Sequence, residues 1–174
     1  MTADLTDTRD GARLPGPKSR VPDCPLGRAV ETIGHWWTLE IAHEVFDGHT
    51  RFTAIQRNLT TAPDVLRERL GDLVAKGLLE VVDTGADDTE YRLTDLGRAL
   101  RPVLLVMAAF GNHRLAEQDR AVVLVDAESG APVNPVVVDQ VTGAPVDAPG
   151  FVFAQGPLAG EVIRARYPRI PRLG

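Results

Sequence analysis

The chain has 174 residues, 44% of them hydrophobic, enough for one domain with an appendage and for a substantial apolar core. A formal net charge of −5 and a pI near 5.3 exclude a nonspecific polycationic nucleic-acid coat, though not a local basic patch. A single cysteine excludes an intrachain disulfide and gives no sign of secretion. No apolar run reaches the roughly 18 residues of a membrane span and no leader pattern opens the sequence, so a cytoplasmic protein without a membrane partner is expected.

Residues 1–22 carry three prolines and scattered Arg9, Arg13, Lys18 and Arg20 and read as a mobile tail, a solvated leader within reach of phosphate. Asp23-Cys24-Pro25 then begins a helix, with Pro25 in its first turn, Leu26, Ala29, Val30 and Ile33 on an apolar face, and Gly34 as its end. The next helix is expected over Thr38–Phe46, with Leu39, Ala42 and Phe46 on one side, Ile41 and Val45 beside them, and Asp47-Gly48 as the stop. His35, His43 and His49 lack metal-ligand spacing with any carboxylate pair, so they read as ordinary polar residues and no metal or other cofactor is expected.

Arg51–Gly77 reads as a short helix, a tight polar turn and a longer amphipathic helix. Ile55 and Leu59 lie one turn apart on the first helix, while Leu66, Leu70, Leu73 and Val74 stripe the second. Thr61 is the expected cap of the second helix, Pro63 fits its first turn, and Asp64 suits its positive end. Helix, short turn, helix is the pattern that places its second helix in the DNA major groove. With the leucine stripe inward, Asp64, Arg67, Glu68, Gly71 and Ala75 project outward and Arg69 lies on the flank. Arginine can read guanine edges, and Asp or Glu can accept from cytosine. Arg51, Arg57, Arg67, Arg69 and Lys76 against Asp64, Glu68 and Asp72 leave the stretch at net +2 in an acidic chain. A plain helical hairpin with a solvated charged face is the simpler alternative.

Leu78–Val82 and Thr89–Leu93 are strand-like runs separated by the Gly- and Asp-rich 83–88, a hairpin in the position of a wing. Thr94 then caps a long helix carrying Leu96, Leu100, Leu104, Met107 and Leu115, in which Pro102 must kink the helix or cost a hydrogen bond near Arg98.

Cys24-Pro25, the Gly34–Ile41 run GHWWTLEI, Asp47-Gly48-His-Thr-Arg51-Phe52 and Tyr91-Arg-Leu-Thr-Asp-Leu-Gly-Arg98 with Pro102 beyond occur in that order. Together they resemble the HxlR-type winged-helix regulators, relatives of the MarR class, over about residues 24–111. The resemblance implies a DNA-binding transcription regulator that is a homodimer held by its first and its long C-terminal helices. Some similar regulators use a cysteine at the matching position to sense oxidants or electrophiles, so the resemblance makes Cys24 a candidate redox sensor, with an inert, half-buried thiol as the simpler alternative. Two departures stand out. His35-Trp36 replaces a Gly-Lys pair, and Asp83, Asp87 and Asp88 replace basic wing residues, which argues against insertion of the wing into a minor groove. Arg92, at the strand base, stays within reach of backbone phosphate.

Beyond Gln118, Ala121–Val125, Val136–Val138 and Phe151–Phe153 are β-rich, and Asp126–Val133 nearly repeats as Asp139–Val146. Each unit sets a glycine four residues after an aspartate, then Ala-Pro-Val, as in two similar turns feeding short strands. The acidic ligand density of a calcium loop is missing. A short helix within Leu158–Tyr167 and a tail from Pro168 complete the reading.

The expected fold class is thus α+β, with a flexible tail (1–22), a winged helix-turn-helix and dimerisation domain (23–118) and a β-rich extension (119–174). The expected DNA-binding residues are Arg51, Arg57, Thr61, Pro63, Asp64, Arg67, Glu68, Arg69 and Arg92. Expected partners are double-stranded DNA, a second copy of the chain and a small-molecule effector. No nucleophile–base pair, phosphate loop or metal cluster supports an enzyme. An adaptor that uses a winged helix for protein partners is the alternative function.

Overall fold

A computed structural model describes residues 24–85, 87–147 and 149–169. The expected tail at 1–22 and the end beyond Arg169 lie outside them. The chain divides into two compact units: residues up to Gly34 together with those from Ala154 on, and His35–Phe153.

In the first unit, α1 spans Pro25–Ile33 with Pro25 in its first turn and Cys24 at its N-cap, where no side chain closes the cap. The Gly34 amide donates to the Val30 carbonyl at 2.7 Å. A Cβ at Gly34 would stand 2.3 Å from that same oxygen, which is why the helix ends on glycine. A second, six-residue helix, numbered α7 in chain order, spans Glu161–Arg166 and buries Ile163. Its last carbonyls are taken up by Gln155, whose Nε2 donates to Arg164 O (3.2 Å) and Tyr167 O (2.7 Å).

The second unit holds the helical pair. Helix α2 spans Trp36–Phe46 and starts two residues before the expected Thr38, because His35 Nδ1 accepts from the Trp37 amide at 3.3 Å and caps it. Its buried face is Thr38, Ile41, Ala42 and Val45. Leu39 and Phe46, expected on one side with Ala42, are half-buried. Helices α3 (Phe52–Leu59) and α4 (Pro63–Ala75) follow, with Ile55, Leu66, Leu70 and Leu73 buried as the stripes require.

Strands β1 (Leu79–Val82) and β2 (Glu90–Leu93) pair antiparallel, Leu79 opposite Leu93 and Val82 opposite Glu90. Arg51 forms an isolated bridge to Glu90, so the chain before α3 acts as a short third strand: Tyr91 N donates to Thr50 O (2.8 Å) and Phe52 N to Thr89 O (2.9 Å). Leu78, Leu79, Tyr91 and Leu93 complete the core begun by α2, α3 and α4.

The long helix expected after Thr94 is two pieces, α5 (Asp95–Arg98) and α6 (Arg101–Asn112), with Pro102 in the first turn of α6. Proline has no amide for the Arg98 carbonyl, and the chain breaks there. Thr94 caps α5 by accepting from Gly97 N (3.1 Å), while its own hydroxyl donates to Gly77 O (2.6 Å). Gly97 passes so close to the sheet that a Cβ would lie 2.1 Å from Leu78 O.

The strands expected at 121–125, 136–138 and 151–153 do not form; the β structure of this segment is two isolated bridges, Val125–Pro132 and Val138–Pro145. Both repeats are closed turns of one design. Asp126 Oδ1 accepts from Ser129 N (2.8 Å) and Ser129 Oγ (2.7 Å), and Gly130 takes φ +70°. Asp139 Oδ2 accepts from Thr142 N (2.9 Å) and Thr142 Oγ1 (2.6 Å), and Gly143 takes φ +69°. These hydrogen bonds hold both carboxyls below the usual aspartate pKa.

Candidate nucleic-acid interface

The turn between α3 and α4 is made by Thr60, the one described non-glycine residue with positive φ (+48°). The turn is held from behind by Gln56, whose Nε2 donates to Thr61 O at 3.3 Å. Thr61 itself does not cap α4. The N-cap is Ala62, with no side-chain hydrogen bond, because Pro63 forces the residue before it into extended backbone (φ −66°, ψ 138°). The cap position therefore falls one residue past the threonine.

Helix α4 presents Asp64, Arg67, Glu68, Gly71 and Ala75 to solvent, the outward set read from the sequence. Arg67 is held in place on two sides. Its Nη1 lies 2.6 Å from Asp64 Oδ1, and its guanidinium sits 5.4 Å from the centre of the Phe52 ring. Arg69 lies between Glu68 and Asp72, 3.8 Å from each, with its Nε buried and without a hydrogen-bond partner. Arg51 pairs with Glu90 (3.6 Å) and Arg92 with Glu80 (3.9 Å). Arg57, exposed on α3, makes no ion pair among the described residues. The surface of the helical pair is therefore a set of cations mostly matched at home, with Arg57 alone outside an ion pair among these arginines and the described residues.

The wing is fastened to this surface by its own acid. Asp88 Oδ1 accepts from Thr53 N (3.2 Å) and its Oδ2 from the Thr53 hydroxyl. It thereby closes the start of α3, where Arg51 supplies no side-chain cap. Asp83 accepts from Gly85 N at 3.0 Å and shapes the turn. Two of the acids that argue against wing insertion are thus engaged with nearby donors. Tyr91 lies beneath, its hydroxyl pKa raised by burial, with Arg67 pulling it down and Asp88 pushing it up. The sequence did not signal the contacts of Phe52 with Arg67, Gln56 with Thr61 or Asp88 with Thr53. The Asp88–Thr53 contact joins positions 35 residues apart, and no periodicity announces it. Cys24, half-buried at the head of α1, belongs to the other compact unit.

The sequence pattern of the HxlR-like helix-turn-helix group matches residues 32–119, half of the chain. The chain belongs to the HxlR-like family. Rv3095 of Mycobacterium tuberculosis H37Rv, an uncharacterised HTH-type transcriptional regulator, is 40% identical over 92 residues, covering 52% of this chain and 58% of its own. This chain thus spans little more than half the length of that relative. YybR of Bacillus subtilis 168, another uncharacterised HTH-type transcriptional regulator, is 31% identical over 91 residues, 51% of this chain and 73% of its own. Among solved structures, the transcription-factor candidate PA1607 superposes with a TM-score of 0.68 at 34% identity, covering 77% of this chain and 95% of its own. PA1374 from Pseudomonas aeruginosa, also a transcription-factor candidate, gives 0.60 at 34% identity, covering 82% and 99%. Residues 1–119 make up about two thirds of this chain, so both likenesses run past the winged helix into the extension. The HxlR-like relatives are transcriptional regulators, not enzymes.

Proposed function

We propose that this HxlR-like protein is a cytoplasmic, sequence-specific DNA-binding regulator that acts as a homodimer on a palindromic operator. The observation that carries the reading is the outer face of α4, where Arg67, Glu68 and Gly71 stand in solvent, with Arg57 exposed on α3. Arg67 supports base reading, Arg51, Arg57, Arg69 and Arg92 support backbone contact, and Thr61 before α4 with Pro63 and Asp64 in its first turn would lie at the end of the recognition helix that meets the duplex. Dimerisation is supported by apolar side chains left in solvent, Phe110 of α6 at 82% exposure and Leu26 of α1 at 71%. Two copies with recognition helices about 34 Å apart would read one helical turn of duplex.

The test is binding of the full chain to genomic fragments selected for affinity, followed by titration of the enriched site at several salt concentrations. Arg67→Ala should cost about 1–3 kcal/mol on the selected site and relax preference at one base pair. Unchanged affinity in a variant that folds normally by circular dichroism would remove Arg67 from the interface. Absence of any salt-dependent DNA binding would leave the adaptor reading. If the regulator answers to oxidants, the response must run through Cys24, the single thiol, as an intersubunit disulfide or an adduct, and Cys24→Ser must abolish it.

A further inference from the structure

A cavity of about 330 Å³ opens between α2, β2 and the step from α5 to α6. Val45 and Phe46 of α2 and Leu93 of β2 form its apolar walls, and Arg92, Arg98 and Arg101 converge on its lining. The three guanidinium groups differ in how far they are already committed. Arg98 is fixed, donating to the Leu93 carbonyl and to Asp95. Arg92 stands 3.9 Å from Glu80, beyond hydrogen-bond length. Arg101 makes no ion pair among the described residues, and its guanidinium lies 5.6 Å from the centre of the Phe46 ring.

Among the described residues, three positive charges here lie against two carboxylates, Glu80 and Asp95, and Arg92 and Arg101 make no hydrogen bond of normal length with their guanidinium groups. The volume and the mostly apolar wall with few polar groups are those of a small-molecule site. The geometry points to a binding site for a small organic carboxylate with a planar apolar body. The carboxylate would meet the Arg101 fork, aided by Arg92, and the body would lie against Phe46, Val45 and Leu93. Inorganic phosphate or a DNA phosphate would satisfy the charges but leave the apolar wall empty. A neutral ring would do the reverse. The site sits where β2, the strand paired with the Arg51 bridge, meets the start of α6, so an occupant would touch both the wing and the helix that follows it.

The experiment is isothermal titration calorimetry of the full chain with 1-naphthoate, with its neutral isostere 1-naphthalenemethanol, and with inorganic phosphate. We expect saturable naphthoate binding at one site per chain, and at least about tenfold weaker binding of the alcohol and of phosphate, the size of one charge-assisted pair. Arg101→Met, which keeps the stem over Phe46, should weaken naphthoate at least about tenfold. The double variant with Arg92→Met should weaken it further. Equal binding of acid and alcohol, undiminished binding in folded Arg101→Met, preference for phosphate, or no naphthoate binding at millimolar concentration would each overturn the assignment. The assay contains no DNA, so its failure leaves the regulator reading standing, and a failed operator titration leaves the site standing.

Discussion

Thr60 holds a left-handed backbone (φ +48°) that a β-branched side chain resists, and its hydroxyl gains only a 3.5 Å contact to Arg57 O in return. Thr60→Gly should therefore raise stability by about 1 kcal/mol, read as an increase in Tm. A fall in Tm would mean that the hydroxyl does more for the turn than this contact shows. Tyr91 makes a pH-dependent contribution. Burial raises its hydroxyl pKa above 10.0, so the folded state favours the protonated phenol. That contribution is complete below the unfolded value and is lost as pH rises through the folded one, in alkali. Wild type should lose stability above pH 10 more steeply than Tyr91→Phe in denaturant titrations at stepped pH. Parallel curves would show that the burial of this hydroxyl does not matter. Some residues here were readable in the sequence and others were not. The outward position of Arg67 follows from helical period alone. Its i,i+3 pairing with Asp64 follows from the same period, but its contact with Phe52 does not, because that depends on where the neighbouring helix starts.

At the level of elements, the leucine stripe placed α4 and the Gly-Asp run placed the hairpin, since both signals are local. Thr61 as a cap failed because a proline two residues on moved the boundary. The strands of the extension failed for a different reason. Valine favours strands when a neighbouring strand supplies cross-strand pairs, and here two of the three runs pair only through one isolated bridge each, within their own turns, while 151–153 forms no bridge among the described residues. The wing holds a role that no local signal announces: Asp88, read as repulsive to DNA, also serves as the tertiary cap of α3. Asp88→Ala should lower stability by about 1 kcal/mol, as loss of a helix cap does, and should speed hydrogen exchange at the wing and in the first turn of α3 together. Faster exchange in the wing alone would separate the two elements and refute the clamp.

For the molecule as a whole, the chain keeps unusual amounts of apolar surface in solvent. Phe110 is 82% exposed on α6, with Val103, Val106 and Met107 exposed on the same helix. A second copy is the simplest cover, because like surfaces on two copies match by symmetry. Wild type should scatter light as a dimer at micromolar concentration and Phe110→Glu as a monomer. A wild-type monomer at that concentration would contradict the assembly.

The twin aspartate turns carry a consequence for how this chain can vary. Asp126 and Asp139 each close their own loop through the Ser or Thr three residues on, and neither turn borrows a hydrogen bond from the other. Thirteen residues separate the two aspartates. A segment built this way can gain or lose one whole period by duplication or deletion without reworking its neighbours. Its length is therefore quantised: related chains can carry a longer or shorter reach beyond the same winged helix, in steps of one turn.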